Sequence, residues 1–336
     1  MSGPRSSDQR SADPASADRP SDGQPHPVAP GRGATGNFLA FIRERPSFLI
    51  GYGIVIGVLA IGIFSPLIAP HSPVDANAAA YLQPPSLAHP MGTDTAGLDV
   101  FSRVLYAPRI DLTIALVSTI IAAVVGGCLG ALAGLWDSKP GVKGPAAAVT
   151  MRVFDVALAF PVFALALVLV AVLGQGVRSI VLAIGIVNIP VYLRLMRTQA
   201  LTIRIQPFVE AAAIAGADDL YLLLRHIVPN ALPSILAQMA VTIGAAVVLT
   251  AGLSFIGAGV RAPAPEWGSM IAMGFQNVVT GQWWPSLFPG MALALTVLGF
   301  GLVGQSIEAY FNPRERTRPS RRAWRLFLAD RAEGSR

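Results

Sequence analysis

The sequence predicts an all-α, polytopic membrane protein of six transmembrane helices, and three observations carry that prediction. Six uncharged apolar runs occur, at residues 48–68, 112–135, 156–173, 180–193, 234–255 and 287–307; a helix needs about 20 mostly apolar residues to cross a bilayer. The 336-residue chain is 53% hydrophobic and only 13% charged, where a soluble domain carries about 25% charged residues. On a six-span path, 21 of the 25 Lys and Arg residues fall on the side that holds both termini, the asymmetry that marks a cytoplasmic face.

Residues 1–46 are rich in Ser, Pro, Asp, Gly and Arg, with almost no large apolar side chain before Phe38, so they are expected to form a disordered cytoplasmic tail. They lack the short apolar core of a cleaved signal peptide. The loop at 70–110, placed outside, contains His89, Pro90, Gly92, Thr93, Asp94, Gly97, Asp99, Ser102 and Arg103. Its glycines and proline mark turns and its charged residues are polar anchors. His89 beside an Asp could ligate a metal, but a loop histidine with a purely structural role is the plainer expectation. The second span carries the single cysteine, Cys128, expected to be a buried small apolar residue.

The third span is entered by MRVFDVALAFP, residues 151–161. Arg152 and Asp155, three apart, are expected to pair on one helical face at the membrane boundary, and Pro161 to kink the span. The fourth run is short, holds Asn188 and Pro190, and meets Arg194. It crosses only if it continues past Arg194 and Arg197, whose long side chains would reach the interface; a re-entrant segment is the alternative. After the fifth span, a loop broken by glycines and prolines at 256–286 places Trp267, Trp283 and Trp284 where an interfacial aromatic belt would be. Glu266 or Trp267 facing substrate is the other reading. Residues 312–336 hold eight arginines and are expected to be a solvated cytoplasmic tail drawn to anionic headgroups.

The longest amphiphilic stretch is EAAAIAGADDLYLLLRHIVPNALP, residues 210–233. Alanine-rich residues 208–215 favour helix. Gly216 is the residue type that ends a helix in a left-handed turn. Asp218 and Asp219 would cap a second helix at its positive end, Arg225 and His226 would sit at its negative end, and Pro229 would stop it.

That arrangement resembles the EAA loop of bacterial ABC-importer permeases, through Glu210, Ala211, Ala212, Gly216 and Pro229. The form RHIVPNALP, residues 225–233, is similar to the dipeptide and oligopeptide, DppC/OppC-like, subfamily. So are HPMGTDTAGLDVFSR from His89, with Met91 and Leu98 as departures, MRVFDVALAFP from Met151, and SFIGAGVRAPAPEWGSM from Ser254. The resemblance implies a type I ABC importer permease fold, with a six-span permease domain at 47–311 and a cytoplasmic coupling loop at 194–233. It implies an ATPase-coupling surface of Glu210, Ala211, Ala212, Gly216, Ala217, Asp218, Asp219, Leu220, Arg225 and Pro229. The implied partners are a second homologous permease, one or two ATPase subunits and an extracytoplasmic solute-binding protein, all at a bacterial inner membrane. The implied substrates are di- or oligopeptides, with nickel or glutathione as alternatives.

Catalysis by this chain itself is not expected. Its two lysines, Lys139 and Lys143, do not follow glycine, so no phosphate-cradling loop is present; ATP and Mg are expected on the partner ATPase and no cofactor on this chain. The net charge of +6 does not signal nucleic acid, because the basic residues gather at segment ends and tails rather than on one interleaved face. An ion-driven secondary transporter or a membrane scaffold is the rival class, disfavoured by the scarcity of acids inside the spans.

Overall fold

A chain that must satisfy its own backbone in lipid has helix as its simplest solution, and helix is what this sequence forms. The structure, a computed structural model, describes residues 37–43, 45–137 and 140–311; the tail at 312–336 and nearly all of the tail at 1–46 lie outside the described residues. The helices are α1 (Asn37–Arg43), α2 (Pro46–Ile68), α3 (Val100–Tyr106), α4 (Pro108–Leu135), α5 (Lys143–Leu158), α6 (Val162–Leu173) and α7 (Val177–Arg204). They continue with α8 (Pro207–Ile214), α9 (Asp219–Leu222), α10 (Val228–Phe255), α11 (Trp267–Val278) and α12 (Trp284–Phe311). Among the described residues the only β pairing is an isolated bridge, Thr93 to Asp99. Five segments are long and apolar enough to cross a membrane, namely α2, α3–α4, α7, α9–α10 and α12, and α5–α6 makes a sixth if that bent pair is one span.

The third span departs from expectation. The kink foreseen at Pro161 is a 93° bend between α5 and α6. Pro161 is extended, with φ −56° and ψ 127°; it has no N–H to continue α5 and it disfavours helix at the residue before it. The pairing of Arg152 with Asp155 is also corrected, because Asp155 Oδ1 accepts instead from Arg194 Nη2 of α7 at 2.5 Å. Both side chains are about half exposed, so the pair orients α5 more than it stabilises it.

The fourth run does continue. α7 is 28 residues long and passes through Pro190 without a break, with Asn188 Nδ2 donating to the Ile184 carbonyl. Arg194 reaches Asp155, and Arg197 reaches Asp137 at 2.7 Å, so both cations beyond the apolar run are paired with acids of the preceding segment. Of the five unbent candidate spans, α7 is the most buried and α2 the least.

α4 and α7 approach until backbones touch. A Cβ added at Gly126 would lie 2.4 Å from the Ile189 carbonyl oxygen, at Gly130 2.3 Å from that of Leu193, and at Gly134 2.6 Å from Ala200 Cβ. Small residues four apart give this close crossing, which is how helices associate when lipid is as apolar as the core. Cys128, two residues on from Gly126, lies on another face and is exposed rather than buried. At the end of α2, Pro66 cannot donate to the Gly62 carbonyl, which takes Arg109 Nε at 2.7 Å and Ser65 Oγ at 3.0 Å in its place.

Candidate functional site

Between α7 and α10 the chain makes an exposed elbow. α8 ends in a Schellman turn: the Ala217 N–H donates to the Ala212 carbonyl, the Gly216 N–H donates to the Ala213 carbonyl, and Gly216 takes φ +91°. Asp218 then caps α9, its Oδ1 accepting from the Tyr221 N–H at 2.8 Å. Asp219 Oδ2 accepts from Lys143 Nζ at 2.8 Å, which ties the elbow to the start of α5.

One face of the elbow is rooted in the bundle. Val209, Leu222, Leu223 and Ile227 are buried in a cluster with Leu135, Met196, Ala200 and Ile203 from the ends of α4 and α7. Arg204 Nη1 fastens the same junction by donating to the Gly134 and Asp137 carbonyls at 3.0 and 3.1 Å. The opposite face is open. Leu220 is 61% exposed, Tyr221 51% and Leu224 60%, and with Asp218 and Arg225 they line a shallow cavity of about 390 Å³. A second hollow, lined by Ala212, Ala215, Gly216, Ala217, Asp218 and Tyr221, adjoins it.

The structure brings most of the expected coupling residues together here. Glu210 and Ala211 are exposed on α8, Ala212 is partly buried beneath them, and Gly216 to Leu220 form the bend. Arg225 lies beyond it, in the π-turn Leu223–Ile227. Pro229 is corrected: it does not stop a helix, but lies in the first turn of α10, directly after the π-turn Leu223–Ile227. The π-turn joins α9 to α10, so helix runs from Asp219 to Phe255. The sequence held the turn and cap signals but no sign of this register shift, nor of the partners Lys143 and Arg204, which lie far away along the chain.

At the other end of α4 the loops 70–110 and 256–286 form a packed collar. Asp94 Oδ1 accepts from the Ala96 and Leu98 N–H groups, and Asp99 Oδ2 caps α3 through the Ser102 N–H. Leu98, standing where the resemblance expects Arg, is 4% exposed. Arg103 is fully buried and donates to the Pro73 and Pro263 carbonyls at 3.0 and 3.1 Å, so one guanidinium joins both loops. Glu266 is likewise fully buried and caps α11, its two oxygens accepting from the Gly268 and Ser269 N–H groups. The Trp267 N–H donates to Asp111 Oδ2 at 3.2 Å, and Trp284 Nε1 donates to the Thr93 carbonyl at 3.1 Å.

The aromatic belt and the substrate-facing reading of this segment are thereby corrected. Trp267 is 1% and Trp284 8% exposed, leaving only Trp283 of the three on the surface, because the collar needs large rings to fill the gap between its loops. The expected external-loop residues His89, Gly92, Thr93, Asp94, Asp99, Ser102 and Arg103 all take part in this hydrogen-bonded collar, and Gly97 packs against it, a Cβ there falling 1.8 Å from the Asn77 carbonyl oxygen.

A bundle of apolar spans with a small, rooted elbow at one end and a hydrogen-bonded collar at the other defines a polytopic integral-membrane protein. Residues 126–317 match the family described as binding-protein-dependent transport system inner membrane component. The chain is 41% identical over 273 residues to the probable D,D-dipeptide transport system permease protein DdpC of Escherichia coli K12, covering 81% of this chain and 89% of that one. It is 33% identical to the dipeptide transport system permease protein DppC of Alkalihalophilus pseudofirmus, over 81% and 88% of the two chains. It is 37% identical to the glutathione transport system permease protein GsiD of an Escherichia coli O1:K1 strain, over 77% and 84%. The chain belongs to the binding-protein-dependent transport system inner membrane component family, and is a multi-pass inner-membrane transport subunit.

Proposed function

We propose that the chain is one of two permease subunits of an ATP-driven importer of di- or oligopeptides, coupled through its elbow to a separate ATPase. The observation that carries the coupling is the patch of Leu220, Tyr221 and Leu224, exposed beside Asp218 and Arg225 on a segment whose other face is anchored. Exposed apolar side chains rimmed by charge on a rigid support suit a protein partner. Peptide as substrate is supported by the names of the relatives, two of which are called dipeptide permeases. Glutathione, itself a tripeptide, is carried by the name of one at similar identity and is the second reading.

In this reading the elbow and both termini are cytoplasmic, and the collar faces the solute-binding protein. ATP binding closes the ATPases and moves the elbow as one piece; the spans then exchange which side of the path is open. Free energy comes from the partner, and this chain converts displacement at the elbow into rearrangement of α4, α7 and α10.

The test is reconstitution. Proteoliposomes holding this chain, its paired permease and the ATPase are expected to accumulate labelled dipeptide only with ATP and the solute-binding protein, with glutathione competing weakly. Uptake by this chain alone, or uptake indifferent to ATP, would sink the proposal.

A further inference from the structure

His71, His89 and Asp99 meet in the collar with one donor atom each, all within 4.8 Å of one another. His89 Nδ1 lies 2.8 Å from Asp99 Oδ1, and His71 Nδ1 lies 3.7 Å from Asp99 Oδ2. Two ligands about 2.1 Å from a tetrahedral ion stand about 3.4 Å apart; the two histidines approach opposite oxygens of Asp99, one closer and one farther than that spacing. We propose that these three side chains form a binding site for a transition-metal ion of the Zn2+ type, which pins residue 71 at the end of the first span to the 89–99 turn.

The supports of the three groups are already in place. Asp99 is 3% exposed and its Oδ2 accepts from the Ser102 N–H at 2.8 Å. Ser102 Oγ in turn accepts from the His71 N–H at 3.1 Å. The His89 N–H donates to Ser86 Oγ, while its carbonyl accepts from the Ser86 and Gly92 N–H groups. One network thus fixes the backbone of both histidines and the carboxylate, the role that outer hydrogen bonds play in metal sites. The His71 side chain is 44% exposed, which gives an ion a way in and leaves room for water as a fourth ligand. Two imidazoles and one carboxylate favour Zn, Cu, Ni or Fe over the hard ions Mg and Ca. A metal here takes the Nδ1 lone pair of His89, so the neutral ring then carries its single proton on Nε2.

The bland alternative is that His89 and Asp99 only hydrogen-bond, with His71 stacked on His89 at a centroid distance of 4.8 Å. His71→Phe separates the two readings, because it keeps the ring and the backbone N–H to Ser102 and removes only the ligand. Full-length protein in detergent, stripped by chelator and titrated with Zn2+ alone in excess Mg2+, is expected to bind one Zn2+ and to melt at a higher temperature. His71→Phe should weaken that binding on the order of 100-fold, since even outer partners of ligands are worth 10- to 100-fold, and should abolish the thermal shift. No Zn2+ bound by the wild type, or equal binding by both proteins, overturns the site. If His71→Phe does not fold, Co2+ added to the wild type is the second measurement. Intense visible bands displaced by one equivalent of Zn2+ support the site, and the weak spectrum of the aqueous ion overturns it.

Discussion

Gly216 is required by a dihedral angle, not by space. Its φ is +91° and a Cβ there would meet nothing within 4 Å, so a side chain costs only the left-handed conformation, about 1–2 kcal/mol. Gly216→Val is therefore expected to insert normally but to loosen the elbow, leaving ATP hydrolysis that no longer drives uptake; coupled uptake at the wild-type rate in proteoliposomes would remove the elbow from the mechanism. Glu266 tests the collar. Glu266→Ala strands the buried Gly268 N–H and frees the partly buried Ser269 N–H, a loss of about 1–3 kcal/mol for a group left unsatisfied away from water. The detergent-solubilised protein should melt clearly lower, with Glu266→Gln between it and wild type, and an unchanged melting temperature in Glu266→Ala would mean that α11 starts without this cap. At this scale the sequence was legible wherever the partner is close: Asp94, Asp99, Gly216 and Asp218 act on N–H groups or turns within four residues. Arg103 was read as an anchor but not as a buried tie, because its partner Pro263 lies 160 residues away.

Among the elements, α4 against α7 is the contact the apolar runs announced but did not orient. In lipid, both the core face and the outer face of a span are apolar, so hydrophobic periodicity says little about which side packs. The glycines at 126, 130 and 134 were the available signal, and their spacing of four is the stripe that faces α7. Gly130→Leu is expected to force the two helices apart and abolish recovery of folded protein by size-exclusion chromatography. Gly127→Leu, where nothing lies within 4 Å of an added Cβ, should be tolerated; similar behaviour of the two variants would refute the packing. Helix ends were the least legible feature. α7 outruns its apolar stretch because Arg194 and Arg197 find Asp155 and Asp137. α10 begins before Pro233, and Pro229 falls in its first turn, because the π-turn ahead of it absorbs the change of register.

For the whole molecule, the proposed orientation makes a direct claim about accessibility. Leu87, in the collar loops, and Leu220, on the elbow, are both exposed. With Cys128→Ser as background, Leu87→Cys should react with a membrane-impermeant thiol reagent in intact spheroplasts, and Leu220→Cys only after permeabilisation; the reverse pattern would invert the protein and void the coupling scheme. The two ends are also joined mechanically. The helix from Asp219 to Phe255 is 37 residues long, roughly 55 Å at 1.5 Å per residue; it starts at the Lys143-bound aspartate and stops shortly before the Glu266 cap. In the proposed scheme, a twist applied at the elbow would be carried to the collar by this single tie-rod. The five-residue π-turn near its base and Pro233 just beyond it are where the regular ladder of that rod is interrupted, and so where it would bend first under load.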